Sequence, residues 1–278
     1  MKDNMNSRFE HNINISKSKL RMKLPVQLFF LCLLLQLGAK AQYVNFPTEG
    51  VIEFEKKVNT HVIFRRFMNK DNESYVQKAF DQYKKNNPQF KSMKSTLSFT
   101  ANATLYTPVE EQEMQQSFLS FHPSMNQINL IYSDLSAGTL VNQKKLFEQN
   151  FLVKDTLRNI KWKLTDETRE IAGYSCRRAN GIMLDSIYVV AFYTDKIPVS
   201  GGPESFAGLP GMILGVALPH EHITWFAKTV TEKSGLSASI KAPTKGKVQT
   251  TAELKNTIKS STKNWGDSYR ELIKALLF

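Results

Sequence analysis

Short apolar–polar alternations recur along residues 51–230, each closed by a small turn, and this recurrence limits the fold more than any other feature. Val51–Val58 (V-I-E-F-E-K-K-V) alternates apolar and charged residues, the period of a strand with one wet face. Val62–Phe67 reads as its extension or the next strand, and Ser95–Tyr106 as a further alternating run ending at Thr107-Pro108. Asn126–Tyr132, Thr139–Leu146, Phe147–Leu152, Lys161–Leu164, Ser175–Asn180 and Ile187–Tyr193 follow with brief connections. Short strands at close spacing, joined by small turns, predict an antiparallel meander in place of βαβ units. Glu73–Tyr83 changes period, with Tyr75, Val76, Ala79, Phe80 and Tyr83 at helical spacing before Asn86-Asn87-Pro88, a short amphipathic helix whose aromatic stripe packs on the sheet. Thr250–Lys259 and Asp267–Leu277 show the same spacing, and Ser234–Val248 reads as a mobile connection. The predicted class is α+β, mainly antiparallel β: a curved, half-barrel-like meander sheet with a few helices packed on it.

Pro198–Leu214 (P-V-S-G-G-P-E-S-F-A-G-L-P-G-M-I-L) interrupts this pattern. Gly201, Gly202, Pro203, Gly208, Leu209, Pro210 and Gly211 fix its backbone, and Leu209–Met212 suits a type II turn with Gly211 at positive φ. The loop bends around Glu204, Ser205 and Phe206, either as a rigid corner between two strands or as the lip of a binding cavity. Gly202–Phe206 lacks G-x-S-x-G, so it is no nucleophile elbow, and no Lys-Ser/Thr follows the glycines to make a phosphate loop.

This loop, preceded by I-A-G-Y-S-C-R-R-A and F-Y-T-D-K-I-P, resembles the GLPGLI family of secreted bacterial envelope proteins, with Met212 in place of a leucine. The resemblance covers Trp162 to about Val230. It implies a periplasmic or outer-membrane-associated location and no defined activity.

The amino-terminal segment agrees. Arg21 and Lys23 precede the apolar run Leu24–Leu37 and then Ala39-Lys40-Ala41, the organisation of a signal peptide over residues 1–41, with Met22 a second candidate start. The run is too short for a permanent transmembrane anchor. Residues 42–230 then form the β-rich domain, and 231–278 a flexible segment and a helix packed on it.

The chain carries a formal charge of +12, of which residues 1–41 hold seven Lys/Arg against two Asp/Glu. The remaining excess is interspersed with acidic residues. It carries no nucleic-acid motif and is compatible with peripheral contact with anionic lipid.

Cys176 remains as a single thiol once Cys32 is removed with the signal, so no internal disulfide forms. His220-Glu221-His222 is the sharpest chemical feature: on an extended segment the two imidazoles share a face and could take copper or zinc, with Cys176 as a third ligand. His61 and His122 read as structural, and the acidic run Glu110, Glu111 and Glu113 as solvated. Two functions therefore stand. One is a non-enzymatic binder of an apolar ligand or envelope protein partner in the sheet's concavity, with no cofactor. The other is a metal-binding protein using His220, His222 and Cys176.

Overall fold

The computed structural model describes residues 46–109, 119, 122–126, 129–146, 148–263 and 274–276. The signal segment 1–41 and the acidic run at 110–113 lie outside them, as does most of the helical pattern at 267–277. Residues 46–278 form one compact unit.

The first meander runs through β1 (Gly50–Asn59), β2 (Phe90–Phe99), β3 (Ala103–Pro108), β4 (Asn129–Asp134), β5 (Thr139–Leu146) and β6 (Gln149–Thr156). The second runs through β7 (Lys163–Ile171), β8 (Tyr174–Met183), β9 (Ile187–Thr194), β10 (Met212–Leu218) and β11 (Ile223–Glu232). They join where β1 pairs with β11, and the short β12 (Lys247–Gln249) adds in parallel to β6. The twelve-stranded sheet has the order β12-β6-β5-β4-β3-β2-β1-β11-β10-β9-β8-β7.

The connections require the curvature. β6 and β7 stand ten strand spacings apart in the sheet, which would be about 48 Å if it were flat. Only residues 157–162 join them, and a chain from Thr156 to Lys163 reaches at most about 25 Å. The sheet must therefore curl until its edges approach. Leu184, at the tip of the β8–β9 hairpin, accordingly packs against both the main core and the small cluster of Leu146, Phe151, Leu254 and Ile258.

Three expectations are corrected here. Residues 62–67 do not extend a strand: Asn59 caps helix α1 (Thr60–Arg65), its side-chain oxygen accepting from Val62 N at 3.2 Å. The run 95–106 is a hairpin, turned at Thr100–Asn102 where Ala103 N donates to Thr100 Oγ1 at 3.2 Å. The short strand expected at Lys161–Leu164 is the start of a longer one, β7, which continues to Ile171 with an irregular register.

Helix α2 (Glu73–Asn86) buries only Phe80 and Tyr83 of the expected stripe, against Phe64 of α1 at ring distances of 5.4 and 5.0 Å, while Tyr75 stands exposed, since the helix packs on α1 with one narrow side. A single turn, α3 (Pro123–Asn126), precedes β4. Helix α4 (Thr251–Ser261), opened by a capping box between Thr250 and Glu253, covers the concave face of β5 and β6 through Leu254 and Ile258. Among the described residues no helix is long and apolar enough to cross a membrane.

Candidate functional site

The loop between β9 and β10 lies inside the curl. Gly201 to Ala207 are buried, as is Leu209, while Gly208 and Pro210 reach the surface. Phe206 packs 5.9 Å from the Trp225 ring of β11, and Gly201 crosses as far as Thr104 of β3. The loop therefore fills the concavity, where the sequence left open a corner or a lip. Trp162 pins it from the 157–162 crossing, its Nε1 donating to Ala207 O at 3.0 Å, and Gly208 N donates to Ser200 Oγ at 3.2 Å.

The expected type II turn at Leu209–Met212 is replaced. Gly211 N donates to Leu209 O at 2.8 Å, while Met212 N is taken by Ile197 O at 3.0 Å, so Pro210 heads a tighter three-residue turn. Gly211, at φ 148°, is still required, because a Cβ there would lie 2.1 Å from Thr194 O.

At the deepest point of the loop, Glu204 (φ 50°) turns its carboxylate into the sheet. One oxygen accepts from Asn129 Nδ2 at 3.0 Å, and the other lies 3.9 Å from Lys56 Nζ. Lys56 shares the inward parity of Ile52, Phe54 and Val58, and its ammonium sits 5.0 Å from the Trp225 ring. Burial pushes Lys56 below the ordinary lysine value, and the charge of Glu204 opposes that shift.

Lys144, on the inward row of β5, donates to Leu276 O and is pushed down to about 7, by burial and then by the neighbouring Arg158 charge. Burial and the Glu204 charge hold the Tyr106 hydroxyl well above the usual tyrosine range. Ser95 Oγ and Trp225 Nε1 approach that hydroxyl without completing well-formed hydrogen bonds. The result is a polar seam across β11, β1, β3, β4 and β5, roofed by the loop and organised by Glu204.

Beside this seam, the 157–162 crossing and the β8–β9 hairpin enclose an open groove of about 780 Å³. Ile160, Met183, Leu184 and Tyr188 supply apolar surface, and Ile182 stands 61% exposed at its side. Arg158, Lys161 and Lys163 line it with positive charge, opposed by Asp185. The hairpin tip holds Leu184 and Asp185 at φ 50° and 63°, a left-handed pair that a leucine rarely adopts, and the packing of Leu184 on both apolar clusters secures it.

Residues 182–215 match the model of a family described as "Protein of unknown function (Porph_ging)". The matched segment contains the hairpin tip and the whole Glu204 loop. No curated protein matches the sequence. Among solved structures, two crystal forms of PNGF-II resemble the chain, at 13% identity with a TM-score of 0.49 and at 15% with 0.48. Each alignment covers 77% of this chain and 33% or 34% of the other, so the chain spans about a third of the length of those structures.

The histidine pair is built differently from the expectation. Pro219–Glu221 forms a 3-10 turn and His222 is left-handed at φ 55°, so the two imidazoles do not share a strand face. Pro219 stops the strand, and α1 holds the turn: Arg66 Nη1 lies 2.9 Å from Glu221 Oε2, and Asn59 N donates to His222 O at 3.0 Å. Burial, and then the Arg66 charge, holds His222 below the ordinary histidine value.

Cys176 is not brought to this turn. It lies just beyond the Arg177–Tyr193 pair, level with Thr194, whereas His220 stands 6.4 Å from the Tyr188 ring. Six residues of strand separate those levels, or about 20 Å. Burial also raises the Cys176 thiol to about 12, away from the thiolate that a metal needs. Among the described residues no group of three His, Cys, Asp or Glu side chains is placed to hold a metal ion.

Sequence reasoning missed Lys56, Lys144 and the groove. Lys56 carried a signal, since its i±2 neighbours Phe54 and Val58 are apolar, whereas Lys144 stands between Asn142 and Leu146 and was marked on one side only.

Proposed function

We propose that this chain is an exported envelope protein of the GLPGLI type, periplasmic or outer-membrane-associated, that binds an amphiphilic anion without transforming it. The observation that carries this reading is the groove of about 780 Å³, with apolar walls and Arg158, Lys161 and Lys163 on its lining. Its volume is that of a small-molecule site. An acyl chain would lie along Ile182 and Met183, with its acidic head at the lysines. Among the described residues the groove lining contains no Ser, Thr, Cys or His. Because the loop fills the concavity, the proposed site is this flank and not the sheet's interior, where the sequence suggested it.

Titration with dansylated undecanoate tests the reading. Saturable fluorescence enhancement is expected, and Ile182→Asp should weaken it about tenfold, the loss of one apolar contact. Ile182 is exposed, so the variant should fold as the parent does. Absence of saturable binding, or equal binding by the variant, contradicts the proposal.

A further inference from the structure

The excess positive charge is localised by the fold. Residues 65–94 contain eight Lys/Arg and three Asp/Glu, a net +5, against +7 for residues 42–278 as a whole. This stretch is the α1–α2 excursion together with the start of β2.

Helix α2 is exposed over most of its circumference, with only Phe80 and Tyr83 buried. Helical spacing places Lys78 and Lys85, two turns apart, on the side opposite those two rings. Two large side chains accompany them in the open: Tyr75 near the start of the helix, 79% exposed, and Phe90 just past its end, 51% exposed. Lysines flanked by exposed aromatic rings are the chemistry of a headgroup-level contact, in which charge draws the element to an anionic surface and the rings enter the interface.

The two helices of the excursion are packed on each other, with His61 of α1 meeting Phe80 and Tyr83 edge-on at 5.8 and 6.1 Å, and Arg66 braces them to the body through Glu221. The exposed side is therefore presented on a fixed support, so docking need not order a loose segment.

We infer that this excursion, through Lys78 and Lys85 on the outer face of α2 and the exposed rings of Tyr75 and Phe90 near its two ends, docks the protein peripherally on an anionic lipid surface. The charge complementarity and the aromatic pair favour a membrane over an acidic protein, which would gain less from isolated protruding rings.

Vesicle flotation tests this with protein beginning at Phe46, which forms one compact unit. Flotation is expected with phosphatidylcholine vesicles containing phosphatidylglycerol, falling with added salt, and not with phosphatidylcholine alone. Lys78→Gln with Lys85→Gln should lower the partition coefficient roughly 25-fold, about fivefold for each lysine at an anionic surface. The same change at Lys255 and Lys259 on α4 should leave it within about twofold. Equal partition onto neutral vesicles, no binding to anionic ones, or an equal loss from the α4 variant overturns the inference. The last result would mean that net charge, not this face, determines binding.

Discussion

Glu204→Gln is expected to destabilise the protein by about 3–5 kcal/mol, the penalty for leaving a buried cation without its counter-charge. The loop carboxylate, 4% exposed, is the acidic group whose charge raises the pKa of Lys56, which is itself buried between Ile52 and Val58 on the inward row. Glutamine keeps the shape and can still accept from Asn129 Nδ2, so the loss isolates the charge. The midpoint of thermal unfolding should fall by roughly 10 °C for a domain of this size. Adding Lys56→Met should recover about 2 kcal/mol, since the orphaned ammonium is then replaced by an apolar side chain beside Trp225. Recovery should be partial, because Lys144 and Arg158 also feel Glu204. A Glu204→Gln protein within 1 kcal/mol of the parent, as an exposed surface pair would give, would mean that the carboxylate does not lock the loop.

Gly211→Ala should be as damaging, for a steric reason. The new Cβ would lie 2.1 Å from Thr194 O and 2.8 Å from Thr194 C, both backbone atoms of β9 that cannot turn aside. At φ 148° the residue also occupies a region open essentially to glycine alone, worth about 1–3 kcal/mol for any other residue. Loss of soluble protein, or a fall in unfolding temperature above about 10 °C, is the expected outcome. Gly208→Ala is the control: at φ 90° it is strained, but the nearest atom to its Cβ is Trp162 Nε1 at 3.6 Å. It should lower the midpoint by only about 3–6 °C, consistent with a left-handed penalty of roughly 1–2 kcal/mol. Equal effects at the two glycines would mean that conformational strain, not the close approach to β9, sets the requirement.

Much of this fold was legible because the sheet obeys local rules. Strand-like runs between turns located β1, β5 and β9, and helical spacing located α2 and α4. The errors fall where a side chain outcompeted the pattern: Asn59 capped α1 inside an apolar run, and Thr100 turned a continuous alternation into a hairpin. The order of the strands was not legible. The jump from β6 to β7 depends on how far six residues can reach across a curled sheet, which no local window contains. For the site, the density of glycine and proline marked the loop but not its direction. That Glu204 turns into the sheet was not read, although the inward parity of Lys56 was already visible in F-E-K-K-V. The His220 and His222 pair misled because an i, i+2 spacing places two side chains on one face only in an extended chain, and Pro219 prevents that.

Amide hydrogen exchange across residues 182–215, with and without dansylated undecanoate, tests most directly whether the loop is a fixed interior plug beside a separate binding groove. Gly201, Phe206 and Ile213 donate to Val199, Pro203 and Gly201 carbonyls at 2.8–3.1 Å inside the curl. Their amides should exchange as slowly as the core of β10 whether or not ligand is present, while protection of Ile182–Tyr188 rises on binding. Rapid exchange of the three loop amides in the free protein, with protection appearing only when ligand is added, would instead make the loop a mobile lip and contradict the account.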